Sequence, residues 1–279
     1  ELKKYGKGLS ISWNCLSETQ LLLRLPLDKY RIKDVKKSQA ITGQGFINLV
    51  QNLKSFKTEL DASKFLEYQI RSPQGLSFPT ICASGKNACT LHYTKNDAPL
   101  SGMLLLDFGC RVGTQHADIS RTIPVNGIFN PLQALLYDIV LMSQKSVEKS
   151  VKPGVTIKRL NEICWDSIES QLQKRFISIG GTLVRPYDVR PHGVSHLIGE
   201  EEHDGDPFGY YREKPLAKGM FLSNEPGLYG LFTLKIGKKQ YKEHIGIRIE
   251  DNLLVTAKGC LNMSASIPKE IVDLEKLRK

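Results

Sequence analysis

Four carboxylates stand out by their company in this 279-residue chain. Asp107 closes the run Met-Leu-Leu-Leu-Asp-Phe-Gly, and Asp118 opens Asp-Ile-Ser-Arg-Thr-Ile-Pro. Glu225 sits in Asn-Glu-Pro-Gly-Leu-Tyr after a second apolar run, and Glu250 lies in His-Ile-Gly-Ile-Arg-Ile-Glu-Asp. In an extended strand Ile245, Ile247 and Ile249 share one side, while Gly246, Arg248 and Glu250 share the other. An acid embedded in a half-buried strand needs a partner, because burying a lone charge is costly. For any one of these acids a salt bridge to Arg248 or Arg121 suffices. If they converge, the accumulated negative charge calls for more, and two divalent cations are the economical compensation. Carboxylates with one imidazole form a hard, oxygen-rich site suited to manganese, with zinc or cobalt as alternatives.

Histidines supply the rest of the chemistry. His92 lies between Leu91 and Tyr93, His192 and His196 lie in His-Gly-Val-Ser-His, His203 follows Glu200-Glu201-Glu202, and His244 precedes the Glu250 strand. The spacing of His192 and His196 imitates the helical H-E-x-x-H zinc motif, but Gly193 and Val194 occupy the middle and the catalytic Glu is missing. That argues against a single-zinc protease.

Helices and strands must bring these groups together. Apolar spacing predicts a helix over about 29–53 and a second one capped by Thr58 with Asp61, carrying Ala62, Phe65, Leu66 and Ile70 inward. From Ser72 to Val125, Pro and Gly punctuate short apolar runs that read as strands. Asn130-Pro131 opens a third helix with Leu132, Leu135, Leu136, Ile139 and Val140 at helical spacing. Thr156 caps a fourth, with Leu160, Ile163, Cys164, Ile168 and Leu172. Strand-like runs return after Gly180-Gly181, and a polar tail from Pro268 predicts a closing helix. Residues 1–25 suggest a short strand region, with β-leaning residues at 9–13. Two helices, strands, two helices and strands make an α+β fold of two similar halves. A faint echo supports duplication: Pro99-Leu100 precedes Gly102-Met103-Leu104-Leu105, Pro215-Leu216 precedes Gly219-Met220-Phe221-Leu222, and each run leads to a carboxylate.

The net charge of +10 comes from scattered lysines such as Lys33, Lys36, Lys37, Lys54 and Lys57, with no dense basic run and no RNA-binding signature, so a nucleic-acid partner is not expected. No stretch of 18 or more apolar residues exists, so no membrane span is expected, and the first residues lack the apolar core of a signal peptide. The six cysteines form no C-x-x-C pair and read as reduced thiols of a cytoplasmic protein.

Together the motifs resemble the pita-bread metallopeptidases: aminopeptidase P, prolidase and methionine aminopeptidase. The resemblance runs from about Leu27 to Ala265. It is carried by Asp107 and Asp118 eleven residues apart, His-Gly-Val-Ser-His-Leu-Ile-Gly, Glu-Pro-Gly-Leu-Tyr and Gly-Ile-Arg-Ile-Glu-Asp. It implies a pita-bread fold with two pseudo-symmetric halves of antiparallel strands flanked by helices. It implies metal ligands at Asp107, Asp118, His196, Glu225 and Glu250, with Asp118 and Glu250 bridging two cations. Asp107 then binds one cation, and His196 and Glu225 bind the other. His92, His192 and His203 match histidines near the substrate, and Arg248 matches an arginine behind the ligands.

Ala-Ser-Gly-Lys-Asn with Leu-His-Tyr-Thr is most similar to bacterial aminopeptidase P, whereas methionine aminopeptidases carry His-Gly-Ile-Pro at Leu91-His92-Tyr93-Thr94. The implied activity is hydrolysis of an N-terminal Xaa-Pro bond through a hydroxide shared by two cations. The substrate is a peptide with a free N-terminus and proline in second position. Glu225 moves the proton, His203 and His92 donate to the oxyanion, and His192 positions the residue after the scissile bond. Tyr229 is a candidate for the proline pocket. An Xaa-Pro dipeptidase and a non-catalytic peptide- or protein-binding module of the same fold are the alternatives, and a homodimer or higher oligomer stays open. Aminopeptidase P and prolidase usually carry an N-terminal domain of well over a hundred residues, so residues 1–26 read as its remnant or linker and 27–279 as the catalytic domain. Glu200-Glu201-Glu202 departs from the usual pattern by adding negative charge at the rim.

Overall fold

In the computed structural model, which describes residues 23–187, 190–205 and 211–278, the chain enters α1 (Lys29–Asn52) at Asp28, whose side chain accepts from the Tyr30 and Arg31 backbone N–H groups. A side-chain oxygen there satisfies donors that the first turn leaves free. Val35, Phe46, Leu49 and Val50 are buried along one face of α1, close to the expected span. Helix α2 (Glu59–Gln69) starts with the capping box read from the sequence: Thr58 accepts from the Asp61 N–H and Asp61 accepts from the Thr58 N–H. The two helices pack closely because Gly45 has no side chain; a Cβ there would lie 2.2 Å from an Ile70 methyl.

Among the described residues, all strand pairings are antiparallel. A sheet of order β1-β2-β5 joins Ile81–Ser84, Met103–Phe108 and Ile119–Pro124. Two short strands, β3 (Arg111–Val112) and β4 (Gln115–His116), form the turn between β2 and β5. Helix α3 (Pro131–Ser150) opens on Asn130, with Gln133 completing its capping box, and Thr156 caps α4 (Ile157–Arg175). The strands that follow are β6 (Thr182–Val184), β7 (Phe221–Asn224), β8 (Gly227–Ile236), β9 (Lys239–Arg248), β10 (Asp251–Val255) and β11 (Cys260–Asn262). They form two sheets, of order β6-β8-β9 and β11-β10-β7, and α5 (Ile271–Leu277) closes the chain as expected.

The echo in the sequence has a structural counterpart. In the first half the cap residue Thr58 bridges Pro99; in the second, the cap residue Thr156 bridges Pro215. Each bridge ties the start of a half's second helix to the segment leading into the strand that carries or immediately precedes a site carboxylate: β2 with Asp107, or β7, which Glu225 follows. A single large core then joins the halves, with Phe46 and Phe108 from one side and Phe176 and Phe232 from the other. The expected strand at residues 9–13 and Cys15 lie outside the described residues. Cys82, Cys89, Cys110, Cys164 and Cys260 are free thiols. Among the described residues, no helix is long and apolar enough to cross a membrane.

Candidate active site

Register brings the acids to one place. On β2, Asp107 faces Ser120 of β5. Asp118 immediately precedes β5, and its backbone is gripped on both sides by Asn252, which accepts from the Asp118 N–H and donates to the Asp118 carbonyl. The Glu250 N–H donates to the Ser120 carbonyl at 3.0 Å, stitching the β9–β10 junction onto β5. Residues 194–198 run beside β7: the Ser223 N–H donates to the His196 carbonyl and the Glu225 N–H to the Val194 carbonyl, both at 2.9 Å. That pairing sets His196 against Glu225 and Asp118.

His196 Nε2 stands 3.3 Å from Asp118 Oδ2 and 3.3 Å from Glu225 Oε1. Its Nδ1 lies 3.2 Å from the Leu197 carbonyl, so Nδ1 carries the proton and Nε2 is aimed at the acids. A second hydrogen bond of this kind commonly orients a metal-binding histidine. Asp118, His196 and Glu250 each offer a ligand atom, all within 4.8 Å of one another. Two further buried oxygens, Asp107 Oδ1 and Glu250 Oε1, have no hydrogen-bond partner. Buried polar atoms normally find partners, so converging acids with free oxygens and one imidazole fit divalent cations in donor type and in charge.

Arg248 is the organising cation. Its Nη2 donates to Asp107 Oδ2 at 2.6 Å, its Nε to Ser120 Oγ at 2.8 Å and its Nη1 to the Tyr229 hydroxyl at 3.3 Å. Ser120 passes the bond on to Glu250 Oε2 at 2.9 Å. Tyr229 is within 3.0 Å of His192 Nε2, and His192 Nδ1 is 2.8 Å from the Gly193 carbonyl. Nδ1 donates to that carbonyl, so Nε2 is left to accept from the tyrosine. Both nitrogens of His192 are thereby engaged, and the ring, packed edge-on against Trp165, is what it presents to the cleft. Tyr229 is 3% exposed and lies beneath the cleft rather than on its wall.

The cleft has a volume of about 410 Å³ and is lined by all five expected ligands together with His92, His192, His203 and Arg248. His203 packs edge-on against His196 with ring centroids 4.2 Å apart. His244 lies elsewhere, against a separate hollow beside Lys86 and Arg185. The strand expected to carry Glu250 ends at Arg248, so Glu250 sits in the β9–β10 junction rather than within a strand, and both sides of the segment are buried: Ile245, Ile247 and Ile249 are fully enclosed, and Arg248 and Glu250 are 4% and 1% exposed. Ser120, which links Arg248 to Glu250, was not singled out from the sequence. The alternation that places residues 118, 120 and 122 on one face would have found it.

Electrostatics follow from this enclosure. Burial pushes the Asp107 carboxyl up to about 7, against the pull of Arg248 and with help from Asp118 and Glu225. Burial likewise drives Glu250 well above the carboxylate range, reinforced by Asp118 and Glu225. Burial opposes ionisation of Glu225 too, but the hydrogen bond and charge of His196 win and hold it down at about 2. An unfolded aspartate ionises near pH ~4. With the folded group titrating at about 7, the native state keeps a proton that the unfolded state has released between those values. Stability from this group therefore falls as pH rises through that window. Urea unfolding after chelation should show the wild type losing ground to Asp107→Asn from pH ~4 to pH ~7. A constant difference between the two would mean that the carboxyl is not held protonated.

The antiparallel halves and the acid-lined centre between them define the pita-bread class of hydrolase folds. Metallopeptidase family M24 matches residues 33–257, and the chain belongs to that family. It is 33% identical over 280 residues to the Xaa-Pro aminopeptidase of Haemophilus influenzae, covering 96% of this chain and 63% of that protein. It is 32% identical over 259 residues to the mitochondrial intermediate cleaving peptidase 55 of Arabidopsis thaliana, covering 91% of this chain and 51% of that protein. The structure superposes on Escherichia coli aminopeptidase P with the inhibitor Pro-Leu at a TM-score of 0.79 and 30% identity, covering 91% of this chain and 60% of the other. The chain thus spans between half and two thirds of the length of these relatives.

Proposed function

We propose that this chain is the catalytic part of a metal-dependent aminopeptidase that removes the first residue of peptides with proline in second position. The observation that carries the reading is the convergence of Asp118, His196 and Glu250 within 4.8 Å, beside buried, unpartnered oxygens of Asp107 and Glu250. These residues with Glu225 would hold two divalent cations. Manganese is our first choice, and zinc and cobalt are the alternatives. The cations, when bound, supply Lewis acidity to the scissile carbonyl and to the water that attacks it.

The chain's own groups do the remainder. Glu225 takes the proton of the attacking water and delivers it to the departing nitrogen. His203 and His92, both exposed in the cleft, donate to the oxygen that becomes anionic. Losing one such donor costs roughly 10²–10³ in rate. His192, neutral because burial lowers its pKa, offers its ring to the residue after the scissile bond. Pro191, next to His192, gives the cleft an apolar surface suited to a prolyl ring, whose nitrogen carries no hydrogen for recognition. Residues 27–279 form the catalytic domain in this reading.

The test is an assay of the chelated and metal-reloaded chain on Xaa-Pro-Yaa tripeptides, Xaa-Pro dipeptides and Met-initiated peptides. The expected result is release of the first residue from the tripeptides, dependent on added cation. Cleavage of dipeptides alone would move the assignment to an Xaa-Pro dipeptidase. Cleavage of nothing by the reloaded protein would sink it.

A further inference from the structure

Five carboxylates line the cleft, and four have work in its centre. Asp107 is held by Arg248, Asp118 and Glu225 by His196, and Glu250 by Ser120. Glu202 is the fifth. It is not among the acids whose ligand atoms converge with His196. Among the described residues no lysine or arginine pairs with it; its close neighbour is the His203 ring, 3.8 Å away, which burial biases towards its neutral form. Its side chain keeps 29% of its surface exposed, so it is open to whatever enters the cleft. An acid so placed, partly desolvated and without a permanent partner, gains most from a cation brought by the substrate.

The cleft also supplies what a long cationic side chain needs below its charge. Phe78, Pro79 and Leu91 form apolar wall in the same cavity. Lysine and arginine lay an aliphatic stem on apolar surface while their charged head stays with polar groups.

We propose that Glu202 sets the substrate preference of this site by pairing with a lysine or arginine side chain on the first residue of the peptide. The inference rests on the aminopeptidase reading given above. Glu202 is a specificity residue: it contacts the first side chain and takes no part in moving protons.

Lys-Pro-Ala and norleucine-Pro-Ala share a stem of the same length and differ in the terminal charge. The metal-loaded wild type is expected to favour the lysine peptide about tenfold in kcat/KM, the scale of a partly desolvated ion pair. In Glu202→Gln that ratio should fall to about twofold or less, and Glu202→Lys should reverse it. Equal rates on the two peptides in the wild type would overturn the proposal. So would equal losses on both in Glu202→Gln, which would assign the acid to the α-ammonium or to His203. A second measurement separates this idea from the activity itself: calorimetric binding, to the metal-loaded wild type, of the same two peptides with the scissile carbonyl reduced to CH2, which cannot be turned over. If the wild type hydrolyses neither peptide yet the binding ratio persists, the peptidase reading fails and the preference stands. If the binding ratio is near one, the preference fails.

Discussion

Replacing Glu225 with glutamine is expected to lower kcat/KM on an Xaa-Pro tripeptide by at least about 10²-fold, the usual worth of a positioned proton carrier. Its Oε1 is turned inward, 3.3 Å from His196 Nε2 and 3.2 Å from Ser223 Oγ. Its Oε2 is 3.9 Å from His192 Nδ1, a nitrogen already donating to Gly193, so this oxygen is free for water. The His196 imidazole beside it favours the ionised carboxyl, the form that can accept a proton. Glutamine keeps the shape and the Ser223 contact and removes the charge. Metal content measured alongside the rate separates a lost ligand from a lost base. An unchanged rate at full metal occupancy would end the proton-transfer assignment.

The largest effect on folding is expected at Arg121. It is 0% exposed, and its guanidinium is spent entirely on the interior. Nε donates to the Pro268 carbonyl, Nη1 to the Ser120 and Glu250 carbonyls, and Nη2 to Asp251 Oδ1 and the Ile267 carbonyl. Asp251 keeps a second partner in Lys269, but Arg121→Leu would leave one carboxylate oxygen and several carbonyls buried without donors. Breaking a buried pair from one side costs about 3–5 kcal/mol. At roughly 2–4 °C per kcal/mol for a domain near this size, Tm should drop by roughly 10 °C. A drop under about 2 °C would mean that the interior rearranges to satisfy those groups.

Much of this architecture was legible in the chain. Helix spans follow from apolar spacing that tertiary packing reinforces. The caps at Thr58, Asn130 and Thr156 are local chemistry, complete within a few residues. The convergence of Asp107, Asp118, His196, Glu225 and Glu250 was anticipated because each lies in a distinctive motif. Contacts that depend on register between distant strands were not legible. Nothing local says that Tyr229 of β8 lies opposite Gly246 of β9, and only that register puts its hydroxyl between Arg248 and His192. The proline-pocket expectation for Tyr229 arose from its nearness to Glu225 in sequence, which says nothing about depth below the surface. Glu202 was noted only as rim charge. Its isolation from basic side chains is a property of the folded cleft.

The position of Arg248 has a consequence for how this centre can change. One guanidinium fixes Asp107, the Ser120–Glu250 link and the Tyr229–His192 pair at once. Groups that share a partner do not contribute independently, so losses from single substitutions here sum to more than the loss of the whole set. Once any arm of the hub is broken, further changes nearby cost little. Inactive descendants of such a centre are thus free to drift in the remaining positions, while active ones must keep all the arms together.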